Sequence, residues 1–227
     1  MLLGNKSYLL LCCAYTLLYG VYTSLGAVVA AITEPYGFHS VDNAIFGGIF
    51  IFSGVAGSFI LGVALDKTSK YKMMIMGTSF GAILFIAVSF FTLPSMSTAL
   101  FAVNLVFVGF CVIPIIPIGL SFAVELTFPV PEAMSNGMMI LPSQIFGSAL
   151  VSLYDVTSAK GVIVGIVCKL PENPKDGPLY AIGIFTGSAL LGALCTVFIK
   201  EELRRLKPKG GEGEQLIDTE SSLANAF

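Results

Sequence analysis

The chain has 227 residues, 56% of them hydrophobic and 11% charged, with 12 Lys+Arg against 14 Asp+Glu and a mean hydropathy of +0.89. Ordinary soluble domains carry about 25% charged residues, so a disordered chain, a nucleic-acid binder and a small disulfide-framed domain are excluded. A polytopic membrane protein is what remains, and a net charge of −2 selects neither an acidic nor a basic partner.

An α-helix needs about 20 mainly apolar residues to cross roughly 30 Å of hydrocarbon. Stretches free of Asp, Glu, Lys and Arg run over 7–33, 43–65, 73–124, 133–154 and 179–199. The third is too long for one span, and Leu93-Pro94-Ser95 supplies a turn near its middle. Six spans are therefore predicted, at 8–33, 43–65, 73–92, 98–124, 135–156 and 179–200. The apolar runs are continuous rather than alternating, which points to an all-α membrane protein and not a barrel.

In the first span, Tyr8, Tyr15, Tyr19 and Tyr22 follow spacings of seven, four and three and share one helical face. Tyr8, near the end, suits an interfacial aromatic belt. The deeper three need partners for their hydroxyls, and the stripe serves either as packing or as a face for an organic cation held by cation–π attraction. His39 follows with Glu34 and Asp42 in a short connection and reads as a solvated loop residue. The second span ends in Gly62, then Asp66-Lys67-Thr68-Ser69-Lys70-Tyr71-Lys72. This is a tight charged connection in which Asp66 can pair with the lysines and Gly62 admits a neighbouring helix.

The fourth span carries Asn104 and then Pro114 and Pro117, which must kink it, as a moving gate or as a static bend. At its end Glu125 sits near the membrane boundary, lining a gate or else capping the turn and holding the next helix, and Pro129 and Pro131 stop the helix. Pro142 in the fifth span frees the Met138 carbonyl, and Gln144 places an amide at mid-depth, with Ser148 one turn on. An amide there must face protein, a cavity or a ligand, and broken polar helices are where transporters bind substrate. The pairs Ser53/Gly57, Gly77/Gly81 and Gly183/Gly187 suit close helix contacts.

Pro171, Pro174 and Pro178 break the loop 157–178, whose apolar run Val162–Cys168 is too short to span. The organisation expected is a six-helix domain over 1–205 and a disordered cytosolic tail over 206–227, in which Glu212–Ile217 fits an acidic dileucine sorting signal. Nine Lys and Arg residues fall on one side of the membrane and only Lys160, Lys169 and Lys175 on the other, so both termini are expected in the cytosol. Cys12, Cys13, Cys111, Cys168 and Cys195 show no metal or disulfide spacing and read as small buried side chains. No nucleotide loop, zinc-ligand pair or nucleophile–base pair is present, so no enzyme activity, cofactor or metal is expected.

Gly62, Asp66 and Lys67 resemble the cytosolic motif that major facilitator superfamily transporters carry once per six-helix half, with Thr68-Ser69 where a Gly is usual. The run Glu125-Leu126-Thr127-Phe128-Pro129-Val130-Pro131-Glu132-Ala133-Met134-Ser135-Asn136-Gly137, continuing to Ser143-Gln144-Ile145-Phe146-Gly147, resembles one branch of that superfamily. The branch is that of the feline leukaemia virus subgroup C receptor-related transporters, with the disrupted-in-renal-carcinoma-2 proteins, at the junction of helices ten and eleven. The resemblance covers essentially the whole chain, as the carboxy-terminal half, helices seven to twelve.

It implies alternating-access transport of a small solute, an organic cation or amine such as choline, with haem or a B6 vitamer as further possibilities. Tyr22 and Gln144 would match the family's substrate-contacting tyrosine and glutamine, and Tyr19 and Asn104 complete the candidate contacts. Gly62, Asp66, Lys67, Glu125, Pro129 and Glu132 form the candidate gate and motif set. The expected partners are the lipid bilayer, the solute and a second six-helix half or second copy, in the plasma membrane or an endolysosomal membrane. The alternative is a truncated, non-transporting membrane module that pairs with a full-length relative.

Overall fold

The computed structural model describes residues 6–95, 97–158 and 176–199. The run Val162–Cys168 and the tail 206–227 lie outside them. The described elements are α1 (Lys6–Thr33), a 3-10 turn at Glu34–Tyr36, α2 (Ser40–Thr68), α3 (Tyr71–Thr92), α4 (Thr98–Val112), α5 (Ile115–Thr127), α6 (Glu132–Ser158) and α7 (Asp176–Phe198). Six helical stretches among these residues are long and apolar enough to cross a membrane, α4 and α5 together making one over Thr98–Thr127.

The helix ends follow from local chemistry. Ser69 closes α2 in the left-handed region at φ 51°, and its N–H donates to the Leu65 carbonyl at 2.7 Å. Only Ser69 and Lys70 therefore separate α2 from α3. His39 is exposed, as expected, but it also N-caps α2: its N–H donates to Asp42 Oδ2 at 3.0 Å. Lys72 reaches the end of α7, where Nζ donates to the Val197 carbonyl at 2.9 Å, a favourable place for a cation.

The fourth span breaks where the prolines require it. Ile113 and Pro114 separate α4 from α5, and the Ile116 N–H turns back to the Ile113 carbonyl at 3.1 Å. Val112, Ile113, Pro114 and Ile115 are all buried, so neighbouring helices hold the bend. Pro129 and Pro131 follow α5 and confine it to Thr127.

Side-by-side contacts run in the order α6–α1–α7–α3–α4–α2, with α5 filling in against α1, α3 and α6. Close approaches rest on missing side chains. A Cβ at Gly20 would stand 3.2 Å from the Gly147 nitrogen, so α1 and α6 touch almost backbone to backbone. Gly109 abuts the Phe50 carbonyl and Ser53 hydroxyl, and Gly57 the Phe110 carbonyl, joining α2 to α4. Of the expected small-residue pairs, Ser53/Gly57 makes such a contact. Gly81 meets Cys111, whereas Gly77 and Gly187 have nothing within 4 Å and Gly183 only Phe90 at 3.8 Å.

Tyr8 departs from the expected interfacial belt. It is 1% exposed, and its hydroxyl donates to the Ser135 carbonyl at 2.8 Å. Ser135 in turn meets Thr127 through their hydroxyls at 3.1 Å, so α1, α5 and α6 are tied together beside the α5–α6 turn. The cause is sequence-local: Ser135 lies in the first turn of α6, where it is fully buried against α1. Tyr8→Phe removes this hydrogen bond while the Ser135 carbonyl keeps its place in the α6 helix, which costs about 0.5–1.5 kcal/mol. A lower melting temperature than wild type in the same detergent is the expected result.

Candidate functional site

Tyr15, Tyr19 and Tyr22 do share a face of α1. The Tyr15 and Tyr19 ring centroids are 5.3 Å apart, Tyr19 and Tyr22 are stacked at 5.6 Å with 13° between planes, and Tyr22 continues onto Phe50 of α2 at 6.0 Å. The result is a ladder of four rings. Tyr15 is fully buried against Gly119, and its hydroxyl has no partner among the described residues. Tyr19 and Tyr22 are half-buried.

Gln144 lies at the middle of this ladder's edge. Its Nε2 donates to the Tyr19 hydroxyl at 3.3 Å, which answers half of the polar demand that a mid-span amide makes. The residue is exposed on the six-helix bundle. Ser148 and Ser152 follow on the same face of α6, each bonding the carbonyl four residues back at 2.9 Å. This polar stripe contrasts with the outward faces of α2 and α3, where Phe52, Phe59, Leu84 and Phe91 are exposed. Those faces suit lipid; on α6 the polar stripe runs beside Leu141 and Ile145, which are also exposed, so its outward surface is mixed.

Pro142 frees the Met138 carbonyl, as its position requires, and Cys12 answers it: Sγ donates to that oxygen at 3.7 Å. Tyr8, Cys12 and Tyr19 thus bond α6 along one edge of α1. Gly20 and Gly147 bring the two backbones together one turn further on. These residues set the spacing at which Gln144 meets Tyr19.

Asn104 stands apart from this group. It is 5% exposed, and its Nδ2 donates to Ser89 Oγ at 2.7 Å, tying α4 to α3. Ser89, not Asn104, lines the cavity of about 320 Å³ that Tyr22 and Phe50 also line. Asn104 therefore touches that space only through Ser89.

The gate and motif residues fall into two places. Glu125 and Glu132 come together across the α5–α6 turn, lining a cavity of about 230 Å³ with Tyr71, Ser121 and Asn136. Glu125 is 6% exposed. Pro129, in the turn, follows a cis peptide from Phe128. Asp66 and Lys67 are exposed on the last turn of α2. A Cβ at Gly62 would meet nothing within 4 Å, so the close helix approach expected there is not made within this bundle.

Phe50, Cys12, Gly20 and Gly147 were not legible as site residues. Phe50 carries a weak signal, since Phe46 and Phe50 share a face of α2. The others could be found only by knowing that α1 and α6 are neighbours.

These features define an all-α, integral multi-pass membrane protein whose six-helix bundle is one half of a major facilitator fold. No family model matches the chain. The chain is similar to the choline/ethanolamine transporter flvcr2a of Danio rerio, with 31% identity over 95% of this chain and 44% of that protein. It is 27% identical to the human choline/ethanolamine transporter FLVCR2 over 99% of this chain and 40% of that protein. Solute carrier family 49 member A3 of Xenopus tropicalis is 28% identical over 67% of this chain and 32% of its own length. The chain is a homologue of these major facilitator-type transporters. It spans less than half the length of the curated relatives it matches.

Proposed function

We propose that the chain forms one wall of an alternating-access carrier for a small organic cation or amine, with choline the leading solute. The observation that carries this reading is the hydrogen bond from Gln144 to Tyr19 at the edge of the Tyr19–Tyr22–Phe50 stack. A quaternary ammonium has no proton to donate and gains little from a carboxylate that must be desolvated to meet it. Ring faces within about 6 Å stabilise it instead, by about 2 kcal/mol when water is excluded. Gln144 supplies a neutral polar group beside the rings and orients the Tyr19 hydroxyl.

A second six-helix half, or a second copy of this chain, would cover the polar stripe of α6 and complete the site. Rocking of one half against the other would then open the ladder to each side of the membrane in turn. Glu125, Glu132 and Pro129 would act at the gate beside the α5–α6 turn. Gly62, Asp66 and Lys67 would form the motif at the α2–α3 connection. Asn104 would act on the solute through Ser89. The lysine distribution supports a cytosolic side for both ends of the six-span bundle, and the plasma membrane or an endolysosomal membrane would hold the carrier.

The test is ligand-dependent thermal stabilisation of the purified chain across organic cations. Choline at about 100 times its Kd is expected to stabilise by ~2.7 kcal/mol, about 5–10 °C for a chain of this size. Gln144→Ala is expected to lose most of that shift. A full shift in the variant, or none with any cation in wild type, would overturn the reading.

A further inference from the structure

Beyond Tyr22 the ring ladder does not end at protein. Tyr22 and Phe50 are shared with the cavity of about 320 Å³, which continues between α1, α2 and α4 past Gly26, Gly47, Leu105 and Val108. That size lies within the roughly 300–1,000 Å³ range of small-molecule sites. A Cβ at Gly26 or Gly47 would meet nothing within 4 Å, so this space is open between the facing helices. Its walls are mainly apolar, with the Thr23 hydroxyl engaged on the Gly20 carbonyl at 3.0 Å and the Ser89 hydroxyl engaged by Asn104. A solute no larger than a trimethylammonium group would occupy the rings and leave this space unused.

We infer that the site takes an amphipathic cation, whose ammonium lies within reach of the Tyr22 end of the ladder and whose alkyl or aryl substituent fills the cavity beyond Tyr22. The inference rests on the reading of Tyr22 and Gln144 as solute contacts, and it narrows the solute class. The two ends are recognised by different physics, cation–π attraction at the ladder and removal of apolar surface from water in the cavity. Because Tyr22 borders both, the order of head and tail is set by one residue.

The experiment measures binding of tetramethyl-, butyltrimethyl-, hexyltrimethyl- and octyltrimethylammonium to the full chain in lipid nanodiscs. Affinity is expected to rise about fourfold per methylene, the factor for burying one CH₂, and then to level off once the cavity is full. Gly47→Leu, and Gly26→Leu as a second variant, place a side chain in the cavity and are expected to flatten the series. 1-Octanol is expected not to displace the octyl cation at equal concentration.

A flat series in the wild-type chain would overturn the inference while leaving the cation reading intact. So would an equal slope in folded Gly47→Leu and Gly26→Leu, which would mean partitioning into the bilayer, or displacement by octanol, which would mean a lipid-chain site. Failure of every cation to bind, tetramethylammonium included, would overturn both readings together.

Discussion

Tyr22→Ala is expected to weaken choline binding about thirtyfold, the equivalent of ~2 kcal/mol of desolvated cation–π attraction. Tyr22 is the ring at which the ladder passes from α1 to α2, stacked on Tyr19 at 5.6 Å and facing Phe50 at 6.0 Å. Its removal deprives the cation of one face and leaves the other two rings apart. Tyr22→Phe keeps the ring and is expected to retain most of the affinity. Isothermal titration of the purified variants separates the outcomes. If Tyr22→Phe loses as much as Tyr22→Ala, the hydroxyl and not the ring is the contact, and the cation–π account fails.

Gly109→Leu is expected to be the most disruptive single packing change. A Cβ at this position runs into the Phe50 carbonyl and the Ser53 hydroxyl, and a backbone carbonyl in a helix has no rotamer by which to withdraw. α2 and α4 must separate, and α2 carries Phe50 of the ladder. Overpacking of this kind costs about 1–3 kcal/mol and occasionally more, which for a chain of this length is about 2–12 °C in melting temperature. Gly48→Leu serves as the comparison, since a Cβ there meets nothing within 4 Å. Equal melting temperatures for the two variants would show that α2 and α4 do not meet as described.

The six spans were legible because hydrocarbon leaves a chain few choices. Continuous apolar runs bounded by charge had to be helices, and the boundaries 73–92 and 98–124 lie within three residues of α3 and the α4–α5 pair. The proline-driven events were legible for the same reason: the break at Ile113–Pro114 and the freed Met138 carbonyl follow from a missing amide. Lateral neighbours were not. Heptad-like spacing put four tyrosines on one face of α1, yet it could not say that Tyr8 would be buried by Ser135 of α6. Nor could it say that Cys12 would answer the Met138 carbonyl. Those facts depend on α1 lying between α6 and α7, which span-by-span reading does not reveal. Asn104 illustrates the same limit, since an amide at mid-span needs a partner but the sequence does not say whether it is a solute or Ser89.

In the proposed carrier the α6 face bearing Gln144 looks onto a watery path between two halves and not onto lipid, and thiol labelling in a cysteine-free background tests this, with the chain reconstituted beside a complementary six-helix half. Ser148→Cys, one turn beyond Gln144 on the same face of α6, is expected to react with a membrane-impermeant methanethiosulfonate and to be protected by choline, while Leu84→Cys on the exposed face of α3 stays unreactive. If Ser148→Cys is as inert as Leu84→Cys, or reacts equally fast with and without choline, this face of α6 is not on the solute's path and the account is wrong.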